Sequence, residues 1–84
     1  MKLYSGEYEL APSFHIMITL ENGVLEAQAT NQGKNKLYAE KANFFFLKAV
    51  DAQIEFLSGA DGKVDRLVLY QNGQKMEGRK LNPD

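Results

Sequence analysis

Phe45-Phe46-Leu47-Lys48-Ala49-Val50-Asp51-Ala52-Gln53-Ile54-Glu55-Phe56 opens the second half of the chain, which decides the fold. It continues through Asp61-Gly62-Lys63-Val64 and Leu67-Val68-Leu69-Tyr70 to Asn72-Gly73, and ends at Leu81. Ile54-Glu55-Phe56 alternates, Asp61-Gly62 breaks, Val64 to Gln71 extends, and Asn72-Gly73 turns the chain back. Asn-Gly and Asp-Gly favour the mirror-image hairpin turns, because both residues tolerate positive φ and match the twist of the flanking strands. The segment therefore predicts strand, turn, strand, turn, strand.

Upstream, the same period of two recurs. Tyr4, Gly6, Tyr8 and Leu10 share one parity, with Glu7 and Glu9 on the other. Pro12 interrupts, since it cannot donate to a ladder. Phe14, Ile16, Ile18 and Leu20 then point inward against His15, Met17, Thr19 and Glu21. After Asn22-Gly23, Leu25, Ala27 and Ala29 continue the inner face. Asn31 to Lys36 reads as a polar break, followed by a short strand around Leu37 and Ala39. A helix over Leu37 to Val50 is the competing reading there, because Tyr38-Ala39-Glu40-Lys41-Ala42 contains good helix formers. Ala52, Ile54 and Phe56 face in, and Leu67 and Leu69 are favoured over Val68 and Tyr70. The final strand, Lys75 to Leu81, is the most polar. About seven to eight short strands at this spacing predict an all-β sandwich or barrel.

An 84-residue chain holds one domain with one modest core. The apolar fraction of 44% is that of a globular chain, which argues against disorder. A formal net charge of -1 supplies no field for nucleic acid or an anionic membrane, so neither is expected as a partner. The absence of cysteine removes disulfides, thiol catalysis and cysteine-ligated zinc together. No transmembrane-length apolar run and no leader pattern is present.

No residue set points to catalysis. His15, the sole histidine, lies on an outward parity with no nucleophile patterned beside it. Ser5, Ser13 and Ser58 sit in turns or at strand edges, without a Gly-x-Ser-x-Gly elbow or a Ser-x-x-Lys pattern. Asp61 to Asp65 lacks the alternating oxygen ligands and terminal glutamate of a calcium loop, so it reads as a turn. Lys34, Lys36, Lys41 and Lys48 lie near Tyr38 and Phe44, a mixture that grips single-stranded nucleic acid on some β platforms. With acidic residues in slight excess, a solvated loop is the preferred reading. Tyr4, Tyr8, Phe14, Phe44, Phe46 and Phe56 are read as core. A closed barrel of about eight strands is either just filled or just wide enough for one small ligand. An apolar ligand would then sit among Tyr8, Phe46, Ile54, Phe56 and Leu69. No cofactor or metal is expected.

Taken together, Phe45 to Phe56, Asp61-Gly62-Lys63-Val64 and Leu67 to Gln74 resemble the DUF3471-type, lipocalin-like domain. That domain stands at the C-terminus of serine hydrolases of the β-lactamase and penicillin-binding-protein class. Tyr4-Ser5-Gly6-Glu7-Tyr8 is similar to its opening motif, and Asn22-Gly23-Val24-Leu25 to its first hairpin. The resemblance runs nearly end to end. It implies a small antiparallel up-and-down barrel of about eight strands over residues 1–84, either excised from a larger hydrolase or standing alone. It further implies a non-catalytic accessory role beside a serine hydrolase domain of the same chain or a partner. The alternative is a free-standing carrier of a small apolar ligand. The compartment implied is periplasmic or extracellular with a secreted hydrolase, and otherwise cytoplasmic.

Overall fold

The computed structural model describes residues 4–81. Nine strands run in chain order: β1 (Gly6–Ala11), β2 (Phe14–Glu21), β3 (Val24–Ala29), β4 (Lys34–Lys36), β5 (Tyr38–Lys41), β6 (Phe44–Leu47), β7 (Ala52–Ser58), β8 (Val64–Gln71) and β9 (Gln74–Leu81). They form one antiparallel sheet in the order β4-β3-β2-β1-β9-β8-β7-β6-β5. This is an up-and-down meander whose first and last strands pair, Tyr8 opposite Lys80. No helix long and apolar enough to cross a membrane occurs among the described residues.

The two edges of this sheet, β4 and β5, are separated only by Leu37. Two peptide units span at most about 7 Å. Nine strands laid flat would part their edges by about 38 Å at ordinary strand spacing. The sheet therefore has to curl until its edges meet, and the result is a nearly closed barrel. Residues 34–41 are in effect one bent strand. Its first half pairs with β3, Lys36 opposite Glu26. Its second half pairs with β6, Tyr38 opposite Phe46. At the bend the Leu37 amide donates to the Leu25 carbonyl at 2.9 Å, and the side chain is buried. On that count the barrel has the expected eight staves. The polar run Asn31 to Lys36 is thus not wholly a break, since its last three residues are laddered. Their charged and amide side chains suit an edge that must not recruit a foreign strand.

The inward set follows the alternation. Tyr8, Ile16, Ile18, Leu25, Ala27, Ala52, Ile54, Phe56, Leu67 and Leu69 are buried. Asn22-Gly23 and Asn72-Gly73 have positive φ at both positions, as a two-residue mirror-image turn requires. Asp61-Gly62 does not. Only Gly62 has positive φ there. Its amide bonds the Gly59 carbonyl at 3.0 Å, and Asp61 Oδ1 accepts from the Lys63 amide. This longer connection is accompanied by a bulge, with Ser58 opposite Val64 and Leu57 opposite Arg66. The additional residue, Asp65, lets Val64 and Leu67 both face the core despite opposite parities.

The register of β6 corrects the sequence reading. Phe45 lies opposite Ile54 and is buried to 4% exposure, whereas Phe44 and Phe46 point outward opposite Glu55 and Gln53. Three consecutive phenylalanines carry no alternation, so sequence alone left the parity open. Tyr4 closes one end of the barrel, stacked on Phe56 at 4.4 Å, with Phe45 edge-on to both rings.

Core phenylalanine truncation leaves a cavity and costs about 3–5 kcal/mol, whereas a surface change stays near 0.5 kcal/mol. Urea denaturation is therefore expected to show Phe45→Ala losing several times the stability that Phe46→Ala loses. Equal losses would overturn the assigned register.

Candidate functional site

The barrel interior is filled from the Tyr4 end. Tyr8 lies 6.0 Å from Phe56, ring to ring, and its hydroxyl donates to the Tyr4 carbonyl at 2.7 Å. Burial first, then the neighbouring Asp65 and Tyr4, pushes the Tyr8 phenol well above its ordinary range. It stays neutral and acts as a structural donor. At the opposite end the wall is made of small residues, Ala27, Ala29 and Ala52, with Phe14, Leu47 and Leu69 around them. The space they leave is about 50 Å³. Ligand pockets ordinarily hold about 300–1,000 Å³. This end has room for a water or two.

Of the residues expected to line a ligand cavity, Tyr8, Ile54, Phe56 and Leu69 come together in the core. Phe46 does not. It stands on the outer wall, 5.7 Å from the Tyr38 ring. Phe44 likewise leaves the expected core set and lies 6.0 Å from Tyr70, whose hydroxyl donates to Glu55 at 2.8 Å. Of the lysines expected in a solvated loop, Lys34 and Lys36 lie on β4, whereas Lys41 and Lys48 belong to this outer wall. Lys48 Nζ sits 4.2 Å from the centre of the Tyr38 ring, and Lys41 Nζ 5.3 Å from that of Phe44. Sequence reasoning placed Lys41 and Lys48 near Tyr38 and Phe44, but not which ring each would cover.

On the other side of the barrel the wall is ionic. His15 Nδ1 lies 2.6 Å from Glu7 Oε2, so the ring N–H donates to the carboxylate, and Nε2 lies 3.8 Å from Glu9. Arg79 approaches Glu9 at 3.7 Å. Arg66 bridges Asp65 at 3.1 Å and Glu77 at 3.3 Å, and also donates to the Ser58 carbonyl. Across the outside of β7, β8 and the β8–β9 hairpin runs an open polar groove of about 540 Å³. It is bordered by Gln53, Tyr70, Asn72 and Gln74. Among the described residues no serine or threonine hydroxyl bonds the His15 ring, and no group of three acidic or histidine side chains is placed to hold a metal.

A family model described as a domain of unknown function (DUF3471) matches residues 1–80. The chain belongs to this family. It is also similar to penicillin-binding protein 4* of Bacillus subtilis (strain 168), at 30% identity over 74 residues. The match takes in 88% of this chain but 16% of that relative, so the domain spans about a sixth of the longer protein. No solved structure matches it.

The hydrogen bond that His15 donates to Glu7 chiefly, with the charges of Glu7 and Glu9, raises the His15 pKa above 6.5 despite an opposing desolvation cost. A proton held more tightly by the folded form stabilises it fully below about pH 6.5, and that contribution fades as pH rises through the raised value. Denaturation midpoints are expected to fall between about pH 6 and pH 8, with His15→Gln flattening the slope. NMR titration of the imidazole gives the pKa directly, and a value at or below 6.5 would contradict the pairing.

Proposed function

We propose that the domain is a non-catalytic accessory module of a β-lactamase-like serine hydrolase, governing access to the catalytic cleft or its assembly. The observation that carries this reading is the match of nearly the whole chain to a sixth of a penicillin-binding protein. The described residues present no nucleophile with a base beside it, so the acyl-transfer machinery of such an enzyme would stand on another stretch of polypeptide. The interior also favours a module over a carrier, because about 50 Å³ accommodates no apolar ligand of ordinary size.

A module of this kind would act by geometry. A rigid barrel beside a cleft excludes substrates by shape and fixes the neighbouring loops. It would change KM for bulky substrates more than the chemical step. The partner expected is a catalytic serine hydrolase domain, in the same polypeptide or encoded beside it.

The reading frame around the gene, or one beside it, is expected to encode a hydrolase domain, and its absence from both would overturn the proposal. That domain is prepared with and without residues 1–84. Hydrolysis of a chromogenic β-lactam and of a nitrophenyl ester is then compared. All turnover is expected in the hydrolase portion, none in the 84-residue chain, and a shift of about threefold or more in KM for the bulkier substrate. Turnover by the chain alone, or a hydrolase indifferent to its presence, would overturn the proposal.

A further inference from the structure

A barrel wall washed by solvent alternates apolar inside with polar outside. The wall over β5, β6 and β8 breaks this rule. Phe44-Phe45-Phe46 makes β6 apolar on both faces, as in a strand covered from both sides. Its outer phenylalanines join Tyr38 and Tyr70 into a patch of four rings, Tyr38 with Phe46 and Phe44 with Tyr70. Val68, on the same wall opposite Glu55, is buried. An aromatic centre within a polar rim is the composition of a protein interface rather than of free surface.

The charges around the patch differ from those of the β1–β2 wall and of Arg66. The carboxylates and cations of the β1–β2 wall and of Arg66 neutralise one another. Lys41 and Lys48 instead lie over Phe44 and Tyr38, and among the described residues neither forms an ion pair. The ammonium groups are thus held in place by the rings and left without a counter-charge.

We propose that the outer face of β5–β8 is the surface by which this domain seats on its hydrolase domain, against an apolar centre rimmed by carboxylates. The inference rests on the accessory reading above. The occupant follows from two observations: Lys41 and Lys48 call for acidic partners, and the matched relative carries five-sixths of its length outside this domain. Tyr38, Phe46 and Tyr70 supply the apolar contact, while Lys41 and Lys48 fix the register of docking.

The barrel closes its own core, so the 84-residue chain is used as it stands, labelled with ¹⁵N and titrated with its unlabelled hydrolase domain. Amide shifts are expected over residues 38–48, 53–57 and 66–70, with the outer residues of β1–β3 unmoved. Phe44→Ser with Phe46→Ser is expected to weaken binding by about tenfold or more, as loss of aromatic anchors does. Lys41→Glu with Lys48→Glu leaves the rings intact and is expected to weaken it similarly, with loss of its salt dependence. Well-dispersed spectra of each variant separate lost binding from lost folding. Shifts confined to β1–β3, or variants that bind unchanged, would overturn the assigned face and leave the accessory reading standing. Shifts of the aromatic face that track chain concentration alone would assign it to a second copy. Shifts on adding oligo-dT without hydrolase would assign it to single-stranded nucleic acid. Either result would overturn the proposal. Absence of any binding to the hydrolase domain would overturn both readings.

Discussion

The single residue between β4 and β5 governs the architecture. Leu37 leaves one strand's edge and enters the other's with no length to spare, so the far margins of a nine-stranded sheet are tied together covalently. Closure then sets which faces exist. An inside appears that only alternate residues can reach, and an outside that must satisfy its own charges. The Leu37 side chain lies within the core, so the bend is anchored from inside as well as by its amide bond to Leu25. The β1–β9 pairing closes the other seam and joins the first and last strands within the wall.

Inside, side-chain volume is distributed unevenly along the barrel axis. Tyr4, Tyr8, Phe45 and Phe56 fill one end with mutually edge-on and stacked rings, each contributing a large buried area. Alanines line the other end, yet Phe14, Leu47 and Leu69 reach across and leave little space. The interior is therefore a packed core, and recognition has to be sought on the wall. The wall divides in two. Around β1, β2 and Arg66 carboxylates meet cations at short range, whereas around β6 rings meet rings and cations meet only ring faces.

Much of this was legible in the sequence where the pattern was strict. Phe14 to Leu20, Leu25 to Ala29 and Ala52 to Phe56 alternate without exception, and the structure follows them. Tyr8, Ile54, Phe56 and Leu69 could be placed in the interior for that reason. Both Asn-Gly pairs gave two-residue turns, because asparagine and glycine each accept positive φ. What was not legible has a common cause, the loss of period. Phe44-Phe45-Phe46 is apolar at every position, so the pairing to Gln53, Ile54 and Glu55 alone decides that Phe45 goes in and Phe46 goes out. Lys34-Asn35-Lys36 is polar at every position, and only the edge of β3 shows it to be a strand. The outer aromatic wall was not legible because Phe44 and Phe46 pattern as core residues, while Tyr38 and Tyr70 share no sequence period with them.

The bulge at Asp65 ties these features together. Val64 is buried, and strict alternation from it would send Arg66 inward and Leu67 outward. One extra residue in β8 reverses that order. Leu67 and Leu69 then fill the barrel, while Arg66, Val68 and Tyr70 take the outer wall. Arg66 meets Asp65 and Glu77 there and completes the ionic half of the surface. Tyr70 meets Phe44 and Glu55 and completes the aromatic half. A single residue inserted after Val64 thus sets the composition of the core and the boundary between the two halves of the wall. Without it the same amino acids would bury a guanidinium and leave two leucines in water. A sequence that admits only one register for β8 also admits only one placement of its outward rings. The outward placement of Tyr70 is therefore as firmly specified as the inward placement of Leu67 and Leu69.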